Sequence, residues 1–269
     1  MSASRGTVTP MENSRYMECL SSDYADLRDA AASAELTAPV PCCPGWTMAD
    51  LVFHVGEVYL EKTTSVRTGQ SPQEWPPPGL AEEAPLALLA RAYGELIAEL
   101  STRDPGSPTP TWYEPDQTVG FWIRRMAQET VIHRIDAEQA AGLPVTPVPD
   151  DLAIDGIDEV LRVFLSYASV NWPDEFSQMK GGHLAGEDGQ ETITITVGPD
   201  PLAAWTLRPS PRGVLVADGA GDGPRVALEA APDPMLRWLW GRAGDDVLKV
   251  TGDPAWVAYL RRMMAEITQ

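Results

Sequence analysis

Four proline-rich breaks divide the first 150 residues of this chain, and no regular helix runs through any of them. They are Pro39-Val-Pro-Cys-Cys-Pro-Gly45, the Ser71–Pro85 stretch around Trp75-Pro-Pro-Pro-Gly79, Asp104–Pro110, and Leu143-Pro-Val-Thr-Pro-Val-Pro149. An interior proline removes a backbone donor and clashes with the preceding turn, costing a helix about 3 kcal/mol or more. Between the breaks, apolar residues recur at helical spacing. Tyr16, Leu20, Tyr24, Leu27 and Ala31 mark a first helix from about Met11 to Leu36. Thr47 is the expected N-cap of a second, with Asp50 in the place of the usual Glu of a capping box. That helix runs through Leu51, His54, Val55, Val58 and Tyr59. A third carries Leu86, Leu89, Tyr93, Leu96, Ile97 and Leu100. A fourth carries Val119, Trp122, Ile123, Met126, His133 and Asp136 and stops at Gly142. Four amphipathic helices joined by breaker-rich loops predict a four-helix bundle.

After Pro149 the pattern changes. Leu152–Val170 predicts a fifth helix, which either joins the bundle or packs on the C-terminal segment. Glu191-Thr-Ile-Thr-Ile-Thr-Val197 then alternates with period two, as a half-buried strand does. Ala203–Leu207, Gly213–Ala217 and Arg225–Ala230 predict three more strands between Gly/Pro/Asp turns. Asp233-Pro234 is the expected start of a helix, Val247–Val250 a short strand, and Pro254 the start of the last helix. The fold class is therefore α plus α+β, a helical bundle over residues 1–148 followed by a small α+β domain over 149–269. Leu143–Pro149 is the linker.

Charge narrows the partners. Twenty basic against 39 acidic residues leave a net charge of −19, which repels phosphate backbones and anionic lipid surfaces and excludes nucleic-acid binding. The longest mostly apolar run, Val160–Val170, is interrupted by Arg162 and too short to span a bilayer. The N-terminal MSASRGTVTPMENS has no apolar core of a signal peptide, and three cysteines (Cys19, Cys42, Cys43) form no disulfide framework. The expected location is the cytoplasm.

Three histidines can be weighed one by one. His133 follows Glu129 by four residues on one predicted helix, so both project from one face. His54 shares a stripe with Leu51, Val55 and Val58. Two histidines and a glutamate from two helices would make a three-ligand site with one position open, as catalytic zinc requires. Asp136, one turn past His133, is placed to accept its second ring N–H. Each residue alone also fits an ordinary hydrogen-bonded role in a core, and spacing leaves both readings open. His183, in Gly181-Gly-His-Leu-Ala-Gly186, reads as a loop residue.

The run Pro41-Cys-Cys-Pro-Gly-Trp-Thr-Met-Ala-Asp-Leu-Val-Phe-His54, followed by Glu129-Thr-Val-Ile-His-Arg-Ile-Asp-Ala-Glu138, resembles the mycothiol-dependent maleylpyruvate isomerase family. Leu236-Arg-Trp-Leu-Trp-Gly-Arg242 and Val250-Thr-Gly-Asp253 are similar to that family's sterol-carrier-like C-terminal domain. The resemblance implies a DinB-like four-helix bundle that binds a divalent metal, usually zinc, with His54, Glu129 and His133 as ligands. It implies mycothiol as cofactor and a small electrophilic molecule as substrate, attacked by a metal-activated thiolate. The reaction would be cis–trans isomerisation or thiol S-transfer. It also implies that Arg242 binds a substrate carboxylate in a cleft between the bundle and the second domain, with Arg208 as the other candidate. A surface arginine that caps the C-terminus of its helix is an equally good reading of Arg242. The chain is expected to act as a monomer or homodimer.

Other readings of the residues stay open. Cys42 and Cys43 precede the His54 helix, where a thiolate is favoured, yet they lack zinc-knuckle spacing and fit a packed loop better. Cys19 reads as core. Zinc-bound hydroxide would make a hydrolase of the same ligands. A binding protein without catalysis would use Trp238, Trp240 and Trp256 to wall an apolar pocket. Dinucleotide, P-loop and nucleophile-elbow motifs do not occur.

Overall fold

The computed structural model describes residues 8–173, 191–198 and 202–268. Two compact units result, Met11–Thr146 and a second formed mainly from Pro147 onward, and the division falls within the proline-rich Leu143–Pro149 segment.

The first unit holds four helices: α1 (Asn13–Ser33), α2 (Met48–Thr68), α3 (Pro85–Thr102) and α4 (Val119–Ala140). Each of α1 and α2 packs on both α3 and α4, which closes a four-helix bundle. Helix α2 starts with a complete capping box. The Thr47 hydroxyl accepts from the Asp50 N–H at 3.3 Å, and the Asp50 carboxylate accepts from the Thr47 N–H at 2.8 Å. Helix α4 ends as the sequence suggests, the Leu143 N–H on the Glu138 carbonyl (2.9 Å) and the Gly142 N–H on the Gln139 carbonyl (3.1 Å). Pro85, read as the end of a loop, is the first residue of α3, where a missing N–H costs nothing.

Gly56 sets how closely α2 and α3 approach. A Cβ there would lie 3.0 Å from Leu88 Cγ and 3.2 and 3.3 Å from the Leu89 backbone. Helix α4 is buried on nearly every face, and several of its polar side chains are paired there. Fully buried Arg134 donates to Asp23 of α1 (2.7 Å), to Glu138 (2.8 Å) and to the Thr146 carbonyl (2.9 Å). The Thr146 N–H returns to Glu138 at 3.0 Å. This network fastens the end of the bundle to α1.

In the second unit, α5 (Asp150–Glu159) passes through a π-helical stretch, Val160–Tyr167, into α6 (Ala168–Asn171), and α5 packs on α7 (Pro232–Leu239). The fifth predicted helix thus belongs to this unit. Its π-helical turns leave no mark on a 3.6-residue period. Strands β1 (Ile193–Val197), β2 (Ala203–Ser210), β3 (Gly213–Asp218), β4 (Val226–Ala230) and β5 (Lys249–Gly252) form a sheet of order β3-β2-β1-β4-β5. Only the β1/β4 pair is parallel, with Ile195 opposite Leu228. Helix α8 (Ala255–Ile267) follows β5.

Three local expectations change. Strand β1 is central and buried on both faces over most of its length, Thr194 included, because threonine alternation mimics an exposed face while its methyl group tolerates burial. Helix α7 starts at Pro232 rather than Pro234, and Asp233 pairs with Arg237 inside the helix instead of capping it. The last strand, Lys249–Gly252, starts later than expected, after a 3₁₀ turn at Asp245–Val247. His183 lies outside the described residues. Among those described, no helix is long and apolar enough to cross a membrane.

Replacing Gly56 with valine forces α2 away from the α3 backbone. Overpacking of this kind costs about 1–3 kcal/mol, so thermal unfolding of Gly56→Val should begin several degrees below wild type. An unchanged melting temperature would show that the helices part without strain.

Candidate metal centre

Helices α2 and α4 bring His54, Glu129 and His133 together. The Glu129 Oε1 atom lies 3.3 Å from His54 Nε2 and 3.2 Å from His133 Nε2. One ligand atom from each residue falls within 4.8 Å of the others. The two imidazoles meet edge to face with ring centroids 5.1 Å apart. The i, i+4 spacing on α4 supplies Glu129 and His133, and the contact of α2 with α4 supplies His54.

Each of the candidate ligands on α4 has an outer partner. Asp136 Oδ2 accepts from His133 Nδ1 at 3.0 Å, which orients the ring with Nε2 toward Glu129. Arg125, one turn before Glu129, donates to its other oxygen, Oε2. Burial opposes ionisation of Glu129. The positive charges of His133 and Arg125, with hydrogen bonds from both histidines, outweigh it and hold the carboxyl well below the usual range. Burial likewise disfavours charged His133, but the Glu129 carboxylate and the Asp136 hydrogen bond raise its pKa to about 9. The donor set of two imidazole nitrogens and one ionised carboxylate oxygen fits a borderline ion such as zinc and leaves a fourth position for another group. Hard, oxygen-seeking ions fit it less well.

The sequence model of a family described as the mycothiol maleylpyruvate isomerase N-terminal domain matches residues 17–138, which include all three ligand candidates. The helical unit belongs to that family. Among solved structures, a mycothiol-dependent maleylpyruvate isomerase is similar over 90% of this chain and 93% of its own, with a TM-score of 0.61 at 14% identity. A histidine-to-alanine mutant of the mycothiol-dependent maleylpyruvate isomerase gives 0.63 at 13% identity over the same shares. At such identities these likenesses speak for the fold, the second unit included. A comparison with curated proteins gives no match.

The other candidates sit elsewhere in the chain. The Cys43 thiol approaches Asp136 Oδ2 at 3.7 Å, and the Cys42 thiol donates to Gln139 at 3.1 Å. Neither sulfur joins the ligand group found among the described residues. Cys19 is buried on α1. Arg242 belongs to the second unit. It is buried just past α7, not on the surface as the capping alternative expected, with Nη1 on the Trp240 carbonyl. Arg208 is exposed on β2 opposite Leu215. Sequence reasoning missed Arg125, although Arg-x-x-x-Glu spacing was there to find. It gave no role to Trp46, which stands in the Pro41–His54 run that carries the resemblance but lies in a loop where no periodicity points to it.

The pKa of His133 gives two pH effects of opposite sense. Binding through Nε2 displaces its proton, so apparent zinc affinity should rise about tenfold per pH unit up to about 9. In the metal-free protein the folded pKa lies above the unfolded value of about 6.5. That stabilisation is full below 6.5 and is lost as pH climbs through about 9. Thermal melts of chelator-treated protein should therefore drop between those limits, and less so for His133→Gln. A flat profile would contradict the ion pair.

Proposed function

We propose that this chain is a metal-dependent, mycothiol-using enzyme that adds the cofactor's thiol to an electrophilic small molecule. The outcome is a cis–trans isomerisation of the maleylpyruvate type or an S-transfer. The observation that carries this reading is the convergence of His54, Glu129 and His133 inside a unit of the mycothiol maleylpyruvate isomerase N-terminal domain family. A divalent ion, with zinc the expected one, would be held by these three residues. When bound it supplies a Lewis acid that brings a thiol of pKa about 8.5 to its nucleophilic thiolate form at neutral pH.

The chain's own residues prepare that site. Asp136 holds the proton of His133 on Nδ1. Arg125 occupies Glu129 Oε2 and leaves Oε1 toward the two imidazoles. Three protein donors leave room for the thiol. The positive charge of Arg242 is assigned to an anionic group of the substrate, which the −19 chain would otherwise repel. Arg208 is the second choice.

Purified zinc-loaded protein should convert maleylpyruvate, or conjugate an electrophile, only when mycothiol is supplied. Turnover indifferent to the thiol would overturn the reading. His133→Ala should lose both metal, by elemental analysis, and activity. Arg242→Met should lower kcat/KM for an anionic substrate by roughly ten- to a hundredfold at unchanged metal content, the scale of one charge-assisted hydrogen bond. Unaltered kinetics would confine Arg242 to capping α7.

A further inference from the structure

The three ligand candidates differ in how they are held. Glu129 has Arg125 on its second oxygen, and His133 has Asp136 on its second nitrogen. His54 has neither. Its one polar contact is Nε2 to Glu129, its Nδ1 has no hydrogen-bond partner among the described residues, and its side chain is 35% exposed against 14% and 10% for Glu129 and His133. A histidine on an exposed flank with an unrestrained Nδ1 can turn about its ring axis. Metal sites ordinarily prevent this with a hydrogen bond from the outer nitrogen.

Beside His54 stands the indole of Trp46. Its ring centroid lies 4.9 Å from that of His54, tilted by 57°, and 6.4 Å from that of His133, inclined by 21°. Both separations fall in the range of favourable aromatic contact. Trp46 is itself fixed. Its carbonyl accepts from the Val40 N–H (2.9 Å), and its N–H donates to the Cys43 carbonyl (3.0 Å). The next residue, Thr47, bridges antiparallel to Pro39 and caps α2. Gly45, at φ +86°, makes the tight turn before it. The backbone therefore delivers the indole to the ring pair independently of any metal.

We infer that Trp46 is the positioning residue of His54. It acts as a flat wall that stands in for the absent hydrogen bond and keeps the two imidazoles at their 5.1 Å separation. The inference rests on the metal reading proposed above. Loss of the wall frees His54 to rotate and weakens metal binding without removing a ligand.

Zinc affinity, measured by competition with a chromophoric chelator, and the melting temperature of the metal-free protein separate the possibilities for wild type, Trp46→Phe, Trp46→Leu and Trp46→Ala. Outer partners of metal ligands are typically worth about ten- to a hundredfold in affinity. Trp46→Ala and Trp46→Leu should lose that much, while Trp46→Phe, which keeps a flat ring, recovers most of it. Trp46→Leu fills the space and guards against a folding defect in the alanine variant, and its metal-free melting temperature should stay near that of Trp46→Phe. Wild-type affinity in Trp46→Leu would overturn the inference, and so would a phenylalanine variant as weak as leucine. Wild-type protein that takes up no zinc would instead remove the metal reading, and the inference with it.

Discussion

One half-buried carboxylate organises the helical unit. Glu129 lies between α2 and α4, and an ionised carboxylate is expensive there unless positive or hydrogen-bonding groups surround it. Arg125 and His133 from its own helix and His54 from the neighbouring one supply them. The same arrangement that makes Glu129 tolerable there keeps it ionised, the form in which a carboxylate can bind a metal. Breaking one partner should cost more than the pair itself contributes, since an uncompensated charge would remain.

Helix α4 holds its central place through a chain of paired groups. Arg125 meets Glu129, His133 meets Asp136, and Arg134 meets Asp23 and Glu138. These pairs alternate around the helix so that two faces do different work. One presents Glu129 and His133 toward α2. The other, through Arg134, holds α1 and Thr146, the last residue of the unit. The candidate ligands Glu129 and His133 thus stand on an element fixed from behind, which limits how far they can drift.

Much of the bundle was legible because its signals are local. Proline breaks, the Thr47/Asp50 box and the close of α4 at Gly142 act within a few residues of chain, and each appears where the sequence places it. The candidate ligands on α4 were legible for the same reason, being one helical turn apart. The errors also have physical causes. The Thr–Ile alternation of β1 looks half-exposed, yet its central place in the sheet covers both faces. Pro232 rather than Pro234 begins α7, because two prolines within three residues offer two equally allowed first turns. The π-helical turns of Val160–Tyr167 lie against β3 and α8, elements distant in sequence, and no local signal marks them.

The sequence by itself determined where the chain breaks between the helices of the first half, which half is helical and which carries the sheet, and that Glu129 and His133 share a face. Those outcomes follow from backbone sterics and periodicity, which need no partner. Tertiary structure decided that His54 meets that face, that Arg125 rather than a cysteine flanks Glu129, and that Trp46 lies against both imidazoles. Such contacts depend on the distance and rotation between α2 and α4, which packing at many positions along both helices sets together. No short stretch of chain encodes that angle.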